Sequence, residues 1–74
     1  MDSSKVIDLF SGAGGLSQGF RDAGFNIISA VEIDKNLSQT YRNNFKKTKI
    51  FEDDITKVKS KDLLANELNV DIVI

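Results

Sequence analysis

Residues 5–20, KVIDLFSGAGGLSQGF, decide the fold. They open with a short apolar run, in which Val6, Ile7, Leu9 and Phe10 are typical of a strand buried on both faces of a parallel sheet. The glycines that follow let the backbone turn through conformations that a Cβ would forbid, and the apolar spacing after them is helical. Because a strand, a glycine turn and a helix in this order aim unpaired helix N–H groups at a ligand, we predict a ligand site at the turn.

Two common glycine motifs match this turn incompletely. Gly12 and Gly14 fill the first two positions of the dinucleotide fingerprint, but Ser17 stands where a third glycine or alanine belongs, which weakens an interpretation as an NAD or FAD site. The glycine-lysine pair of a phosphate-binding P-loop is absent from the sequence. Spacing alone therefore leaves open a tight strand-to-helix connection with no ligand.

Composition narrows the chemistry that these residues can perform. The chain has 74 residues, a formal net charge of −1 at pH 7, and no Cys, His, Pro or Trp. Without Cys and His there is no thiol nucleophile and the commonest metal ligands are missing, so we expect no metal site and no covalent catalysis. The sequence shows no signal peptide and no apolar run near the roughly 18 residues of a membrane span, so we expect a cytoplasmic, bacterial-type protein without a membrane partner.

The chain alternates strand-like and helix-like segments, as a series of βαβ units does. We predict strands over residues 5–10, 26–31, 49–51 and 70–74. We predict helices from Ala13 or Gly15 to Ala23 with Gly24 as the stop, from Lys35 to Asn44 with Asp34 as N-cap, and a short helix through Leu68 with Ser60 as N-cap. Apolar residues at helical spacing should pack these helices on the sheet, namely Leu16, Phe20 and Ala23; Leu37, Tyr41 and Phe45; and Leu63, Leu64 and Leu68.

Right-handed crossovers between parallel strands give the strand order 3-2-1-4. The fold class is therefore α/β, a Rossmann-like half of a doubly wound parallel sheet that is incomplete at its C-terminus. Its ligand crevice should lie outside the carboxyl ends of strands 1 and 4. Three strand ends carry acids, namely Asp8 on the first, Glu32 on the second and Asp54 just past the third, and all three should rim this crevice.

Individual residues near the strand ends have two interpretations each. Glu32 lies 20 positions after Gly12, the separation at which an acid meets a ribose diol, but a solvated acid at a strand end fits as well. Asp54 suits an adenine amino group, with Ile33 and Ile55 as apolar walls, or belongs to an acidic solvated turn. Phe10, directly before the glycine turn, suits stacking on a base or packing in the core.

Three segments resemble, in order and spacing, the first three motifs of the DNA (cytosine-5)-methyltransferases: DLFSGAGGLSQGF at 8–20, VEID at 31–34 and DDIT at 53–56. The resemblance implies that residues 1–74 are the N-terminal, S-adenosylmethionine-binding part of a methyltransferase domain. The parent enzyme would transfer a methyl group to C5 of cytosine in DNA, as restriction-modification enzymes do.

The resemblance also implies a role for each cofactor-binding residue. Phe10 would stack on the adenine, Glu32 would hold the ribose hydroxyls, Asp54 would bond the adenine amino group, and Ile33 and Ile55 would sandwich the ring. Asp8 and the backbone of residues 12–16 would hold the methionine end. The implied site comprises Asp8, Phe10, Ser11, Gly12, Ala13, Gly14, Gly15, Leu16, Glu32, Ile33, Asp54 and Ile55.

The family's catalytic proline-cysteine motif is missing from this sequence. We therefore expect no catalytic residue here, and we expect a shortened protein, a fragment or one half of a split enzyme, inactive alone. Double-stranded DNA would be bound by the missing remainder, and a second chain or self-association would complete the sheet. A non-catalytic S-adenosylmethionine-binding module and an NAD-binding oxidoreductase fragment remain alternatives. The spaced lysines, at 46, 47, 49, 57, 59 and 61, are interpreted as a solvated face rather than DNA contacts.

Overall fold

The fold is a four-stranded sheet, seen in a computed structural model that describes residues 4–65, 67 and 69–74. The strands are β1 (Lys5–Asp8), β2 (Asn26–Val31), β3 (Lys49–Phe51) and β4 (Ile72–Val73). They lie in the order β3-β2-β1-β4, and every neighbouring pair is parallel. The predicted fold class and strand order are confirmed.

Helices cover both faces of the sheet. They are α1 (Gly15–Asp22), α2 (Lys35–Asn44) and α3 (Ser60–Leu63), with a 3-10 turn at Ile55–Lys57 before α3. Side chains of consecutive strand residues point to opposite faces. The Ser29 hydroxyl donates to the Leu63 carbonyl of α3, whereas Ala30 packs with Tyr41 of α2. Helices α2 and α3 therefore lie on opposite faces.

Helix α2 has the predicted bounds and the predicted N-cap. The Asp34 Oδ1 atom accepts a hydrogen bond from the Leu37 N–H at 2.9 Å, which satisfies one of the free donors of the first turn. Tyr41 and Phe45 are buried, with their rings stacked at a centroid distance of 4.3 Å. Leu37, predicted on the same face, lies at its edge and is 40% exposed.

Helix α1 presents a different face to the sheet from the one predicted. Leu16 is 59% exposed and Ala23 is exposed, while Ser17 is fully buried. The prediction of a packed Leu16, Phe20 and Ala23 stripe is wrong because Ser17 donates to the buried Asp8 carboxylate, and that bond turns Ser17 toward the sheet. Gly24 ends the helix as predicted, at a φ of 96° that suits glycine.

The ends of the sheet are shorter than predicted. Strand β1 ends at Asp8 rather than Phe10, because the Asp8 carboxylate accepts from the Phe10 N–H at 3.3 Å and turns the chain. Strand β4 covers Ile72–Val73 rather than residues 70–74. Backbone hydrogen bonds from Asp71 N to Lys5 O and from Leu9 N to Ile74 O still continue the β1–β4 pairing on both sides.

Helix α3 is also shorter than predicted. It ends at Leu63, and Ala65 follows with a φ of 49°, a left-handed conformation that does not continue a helix. Its N-cap is Lys59 rather than Ser60. Leu63 is buried as expected and Leu64 is half-buried, whereas Leu68 lies outside the described residues.

Candidate functional site

Backbone hydrogen bonds, one of them to strand β2, hold the loop between β1 and α1. Ser11 N–H donates to the Val31 carbonyl of β2, and Gly14 N–H donates back to the Ser11 carbonyl, both at 3.0 Å. Gly14 is the N-cap of α1, and this cap has no side-chain hydrogen bond. The first turn of α1 therefore presents free N–H donors and the positive end of the helix to the loop.

Gly14 occupies a position that only glycine can fill. Its φ is 105°, and an added Cβ would lie 2.5 Å from Phe45 Cε2 and 3.0 Å from Tyr41 Cδ2. The loop backbone thus lies directly on the two buried rings of α2. This contact fixes the height of the loop above the sheet.

Glu32 joins the loop to the start of α2. Its Oε1 atom accepts from the Gly12 N–H and its Oε2 atom accepts from the Asp34 N–H, each at 2.8 Å. The side chain is half-buried. The interpretation of Glu32 as a merely solvated acid is therefore wrong, because both carboxylate oxygens are engaged.

A cavity of about 160 Å³ opens beside Glu32 at the carboxyl ends of β1, β2 and β3. The sequence had placed the crevice outside strands 1 and 4; the chain after β3 forms its second wall instead. Five of the predicted residues share the cavity with three that were not singled out. The lining is Leu9, Phe10, Val31, Glu32, Ile33, Asp53, Asp54 and Ile55.

The apolar walls of the cavity face solvent. Phe10 is 78% exposed and Ile33 is 66% exposed. Packing of Phe10 in the core is therefore ruled out. Scattered exposed apolar residues are ordinary, but two large ones on one cavity that also holds three acids form a surface suited to a flat, partly polar ring.

Asp54 caps the 3-10 turn that closes the cavity. Its Oδ1 atom accepts from the Thr56 N–H at 2.9 Å and from the Thr56 hydroxyl at 2.8 Å. These bonds to the charged form, the backbone one first, lower the pKa of Asp54 below its ordinary value. The carboxylate is thus ionised at neutral pH and its orientation is fixed.

Asp54 should consequently give stability that depends on pH. Because its folded pKa is depressed, its contribution is fully present above its ordinary, unfolded-state pKa and disappears as the pH falls through the lower folded value. We expect Asp54→Asn to flatten the acid limb of the stability curve, measured by urea unfolding between about pH 2 and pH 6. The control is Asp22→Asn, which makes the same acid-to-amide change at an exposed site on α1. Equal curves for Asp54→Asn and the unmodified chain would contradict the cap.

Asp8 does not rim the cavity as the sequence predicted. It is 2% exposed, and its carboxylate turns under the loop, where Oδ2 accepts from the Ser17 hydroxyl at 2.6 Å and Oδ1 from the Phe10 N–H. A buried carboxylate needs donors, and the chain supplies them from within. Asp8 therefore supports the loop from beneath.

The other predicted loop residues lie on or just under the surface. Ser11 is buried with its hydroxyl donating to the Gly12 carbonyl at 3.3 Å, while Ala13, Gly15 and Leu16 are exposed. Asp53 also lines the cavity but was not singled out from the sequence. The position of Asp53 directly before Asp54 was the available indication.

The described residues contain neither a cluster of acids that could hold a metal ion nor a helix long and apolar enough to cross a membrane. The spaced lysines from Lys46 to Lys61 are exposed.

Comparison with known proteins decides the family. The sequence matches a model of the family described as C-5 cytosine-specific DNA methylase over residues 4–74. The chain belongs to this family. Among curated relatives, methylase M1.HphI of Haemophilus parahaemolyticus is 46% identical over 97% of this chain and 20% of its own length. Methylase M.NgoPII of Neisseria gonorrhoeae is 50% identical over 78% of this chain and 17% of its own length. Both are named type II methyltransferases.

Solved structures agree with the methylase assignment. A crystal structure described as a DNA modification methyltransferase encoded within a prophage of E. coli superposes with a TM-score of 0.86 at 36% identity, covering 96% of this chain and 21% of its own. A mutant of DNMT2 from Spodoptera frugiperda gives 0.77 at 27% identity, over 96% and 22%. The chain thus spans about a fifth of the length of these methylases. Family membership implies use of a methyl donor.

Proposed function

We propose that this chain binds S-adenosylmethionine and that the methylase to which it belongs transfers the donor's methyl group to C5 of cytosine in double-stranded DNA. The observation that carries the proposal is the cavity at the ends of β1, β2 and β3. There, exposed Phe10 and Ile33 stand beside the fixed carboxylates of Glu32 and Asp54. Residues 1–74 are, in this proposal, the N-terminal cofactor-binding part of the methyltransferase domain.

The residues fit the adenine end of this cofactor. Phe10 is assigned to stacking on the ring, and Ile33 and Ile55 to enclosing it, since all three line the cavity. Asp54 is assigned to the amino group. Its Oδ1 atom is occupied by Thr56, and within the described part of the chain its Oδ2 atom has no hydrogen-bond partner. An acceptor and an apolar slot are what an aminopurine requires.

The residues also fit a ribose. Each oxygen of Glu32 accepts one backbone N–H, and a carboxylate oxygen has a second lone pair with which to accept a hydroxyl. Hydrogen bonds to a charged acceptor are worth about 1.5–3 kcal/mol. Since the carboxylate is already held on both sides, it can bind a diol without rearrangement.

The methionine end is assigned to the backbone of residues 12–16, with Ser11 beneath it and Asp8 as the internal support. The free N–H groups at the start of α1 suit the carboxylate of an amino acid. The cofactor supplies an electrophilic methyl group when bound. These residues bind and orient it, and the nucleophile that attacks cytosine is assigned to the methylase outside them, because this sequence contains no Cys.

Calorimetric titration of the chain with S-adenosylmethionine and with NAD tests the proposal. We expect saturable binding of S-adenosylmethionine, and weaker binding of NAD because Ser17 replaces the third glycine of the dinucleotide fingerprint. Tighter binding of NAD would reject the proposal. A chain that binds S-adenosylmethionine but does not support methylation in the whole protein would favour the non-catalytic module.

Glu32→Gln should weaken binding of S-adenosylmethionine by about 1.5–3 kcal/mol, because the amide loses the charge and one acceptor atom. Calorimetry measures the change. Asp22→Asn makes the same acid-to-amide change at an exposed position of α1 and should leave affinity unchanged. Full affinity in Glu32→Gln would reduce Glu32 to a structural clamp.

A further inference from the structure

A buried hydrogen-bond network of three side chains, Tyr41, Ser17 and Asp8, links helix α2 to the end of β1. The Tyr41 hydroxyl donates to Ser17 Oγ at 2.9 Å, and the Ser17 hydroxyl donates to Asp8 Oδ2 at 2.6 Å. Tyr41 and Ser17 are fully buried and Asp8 nearly so. We propose that Tyr41 and Ser17 are positioning residues, which hold the glycine loop and Phe10 in the arrangement that binds the cofactor; this inference rests on the proposed function.

Asp8, the last acceptor of this network, also binds the backbone N–H of Phe10. Asp8 uses Oδ2 for Ser17 and Oδ1 for the Phe10 N–H. The hydrogen bond from Ser17 therefore orients the Asp8 carboxylate. The oriented carboxylate in turn positions the backbone of Phe10, which lines the cavity. If the Ser17 hydroxyl is removed, Asp8 keeps only the longer of these two bonds, at 3.3 Å.

Tyr41, the first donor of the network, contacts the loop at a second point. The ring of Tyr41 lies under Gly14, where an added Cβ would come within 3.2 Å of Cε2, while the hydroxyl at the far end of the same ring reaches Ser17. Tyr41 thus contacts the residue that caps α1 and a residue in its first turn. Helix α2 itself begins after Asp34, whose N–H is held by Glu32. One rigid helix therefore connects the carboxylate on the cavity to the floor of the loop.

The Tyr41 phenol keeps its proton at neutral pH. Burial, with a smaller contribution from the charge of Asp8, raises the pKa of the Tyr41 phenol above its ordinary value. The phenol accordingly stays protonated at neutral pH and donates to Ser17. The hydroxyls of Tyr41 and Ser17 donate in one direction, toward Asp8, and each of the three groups has a hydrogen-bond partner.

Tyr41→Phe is the decisive variant, because it keeps the ring under Gly14 and removes only the hydroxyl. The readouts are amide hydrogen exchange over residues 10–17 in the ligand-free chain, calorimetric affinity for S-adenosylmethionine, and the urea midpoint. We expect faster exchange in the loop and affinity lowered about 3- to 10-fold, the equivalent of one net hydrogen bond. Ser17→Ala should show the same two changes.

Ser29→Ala is the matched control. It removes an equally buried hydroxyl that donates to Leu63 on the opposite face of the sheet, away from the loop. It should lower the urea midpoint without changing exchange over residues 10–17 or affinity. If Tyr41→Phe changes only the midpoint, as Ser29→Ala does, the positioning role is overturned. If the unmodified chain fails to bind S-adenosylmethionine, the proposed function fails, while loop exchange in the ligand-free chain still tests the positioning network.

Discussion

Replacing Phe10 with alanine is expected to weaken binding of S-adenosylmethionine by about 1–3 kcal/mol, or roughly 5- to 150-fold. The loss reflects the missing stacking surface on the adenine. Stability should hardly change, because the side chain is 78% exposed and substitutions at exposed positions usually stay within about 0.5 kcal/mol. A buried phenylalanine would behave in the opposite way, with a loss of about 3–5 kcal/mol in stability. Titration calorimetry and urea unfolding on the same preparation separate the two.

Phe10→Tyr is the control for this result. It keeps an aromatic face at the same position, and the exposed site leaves room for the added hydroxyl. Affinity should stay within about threefold of the unmodified chain, since stacking tolerates changes of ring. An unchanged dissociation constant in Phe10→Ala, with the fold intact, would remove Phe10 from the cofactor site.

Gly14→Ala should destabilise the chain by about 2–5 kcal/mol. Two penalties combine, namely a left-handed φ of 105° for a residue with a Cβ, and overlap of that Cβ with the Phe45 and Tyr41 rings. Since both rings belong to the core under the loop, relief would require moving α2. Urea unfolding measures the loss, and cofactor affinity should fall with it because the loop must rise off the rings.

The neighbouring glycine provides a matched control. Gly15 is the first residue of α1, has no positive φ, and has open space where a Cβ would be added. Gly15→Ala should therefore be neutral or stabilise the chain by up to about 1 kcal/mol, because alanine favours the helix. Equal losses in the two variants would show that the Gly14 contact with the rings is not the cause.

Much of the fold could be predicted because its local sequence features agree with one another. Helix α2 follows a capping Asp34 and carries Tyr41 and Phe45 four residues apart, so its bounds were predicted correctly. Gly24 marked the end of α1, and short connections between parallel strands left one simple strand order. These features depend on neighbours in sequence, which a reader of the sequence can see.

The errors have a different origin, in the hydrogen bonds of the Asp8 carboxylate and in one unusual backbone conformation. Leu16 and Phe20 form an apolar stripe by spacing, yet Ser17 faces the sheet because Asp8, nine positions earlier, requires a donor. Strand β1 stops at Asp8 for the same reason. Helix α3 stops early at a left-handed Ala65, a conformation that alanine rarely adopts and that no sequence rule predicts.

Some features of the candidate site could be predicted from the sequence and others could not. Phe10, Glu32 and Asp54 follow strand ends, and parallel strands bring their carboxyl ends to one edge, so their meeting around one cavity could be predicted from the sequence. The inward turn of Asp8 and the hydrogen bond from Tyr41 to Ser17 could not be predicted, because they depend on how two helices pack over the end of one strand. Only the packed structure brings Tyr41 to Ser17.

The two hydrogen bonds of Glu32 order this edge of the molecule during folding, before any ligand binds. These bonds tie together positions from Gly12 to Asp34, so the entropy of ordering that segment is lost while the protein folds and not when the ligand arrives. Under the proposed function, the nucleoside part of the cofactor therefore binds to a site that is already formed. Local unfolding of this edge should likewise abolish the binding site. Bound ligand should therefore raise the free energy of unfolding, and the increase should grow with ligand concentration.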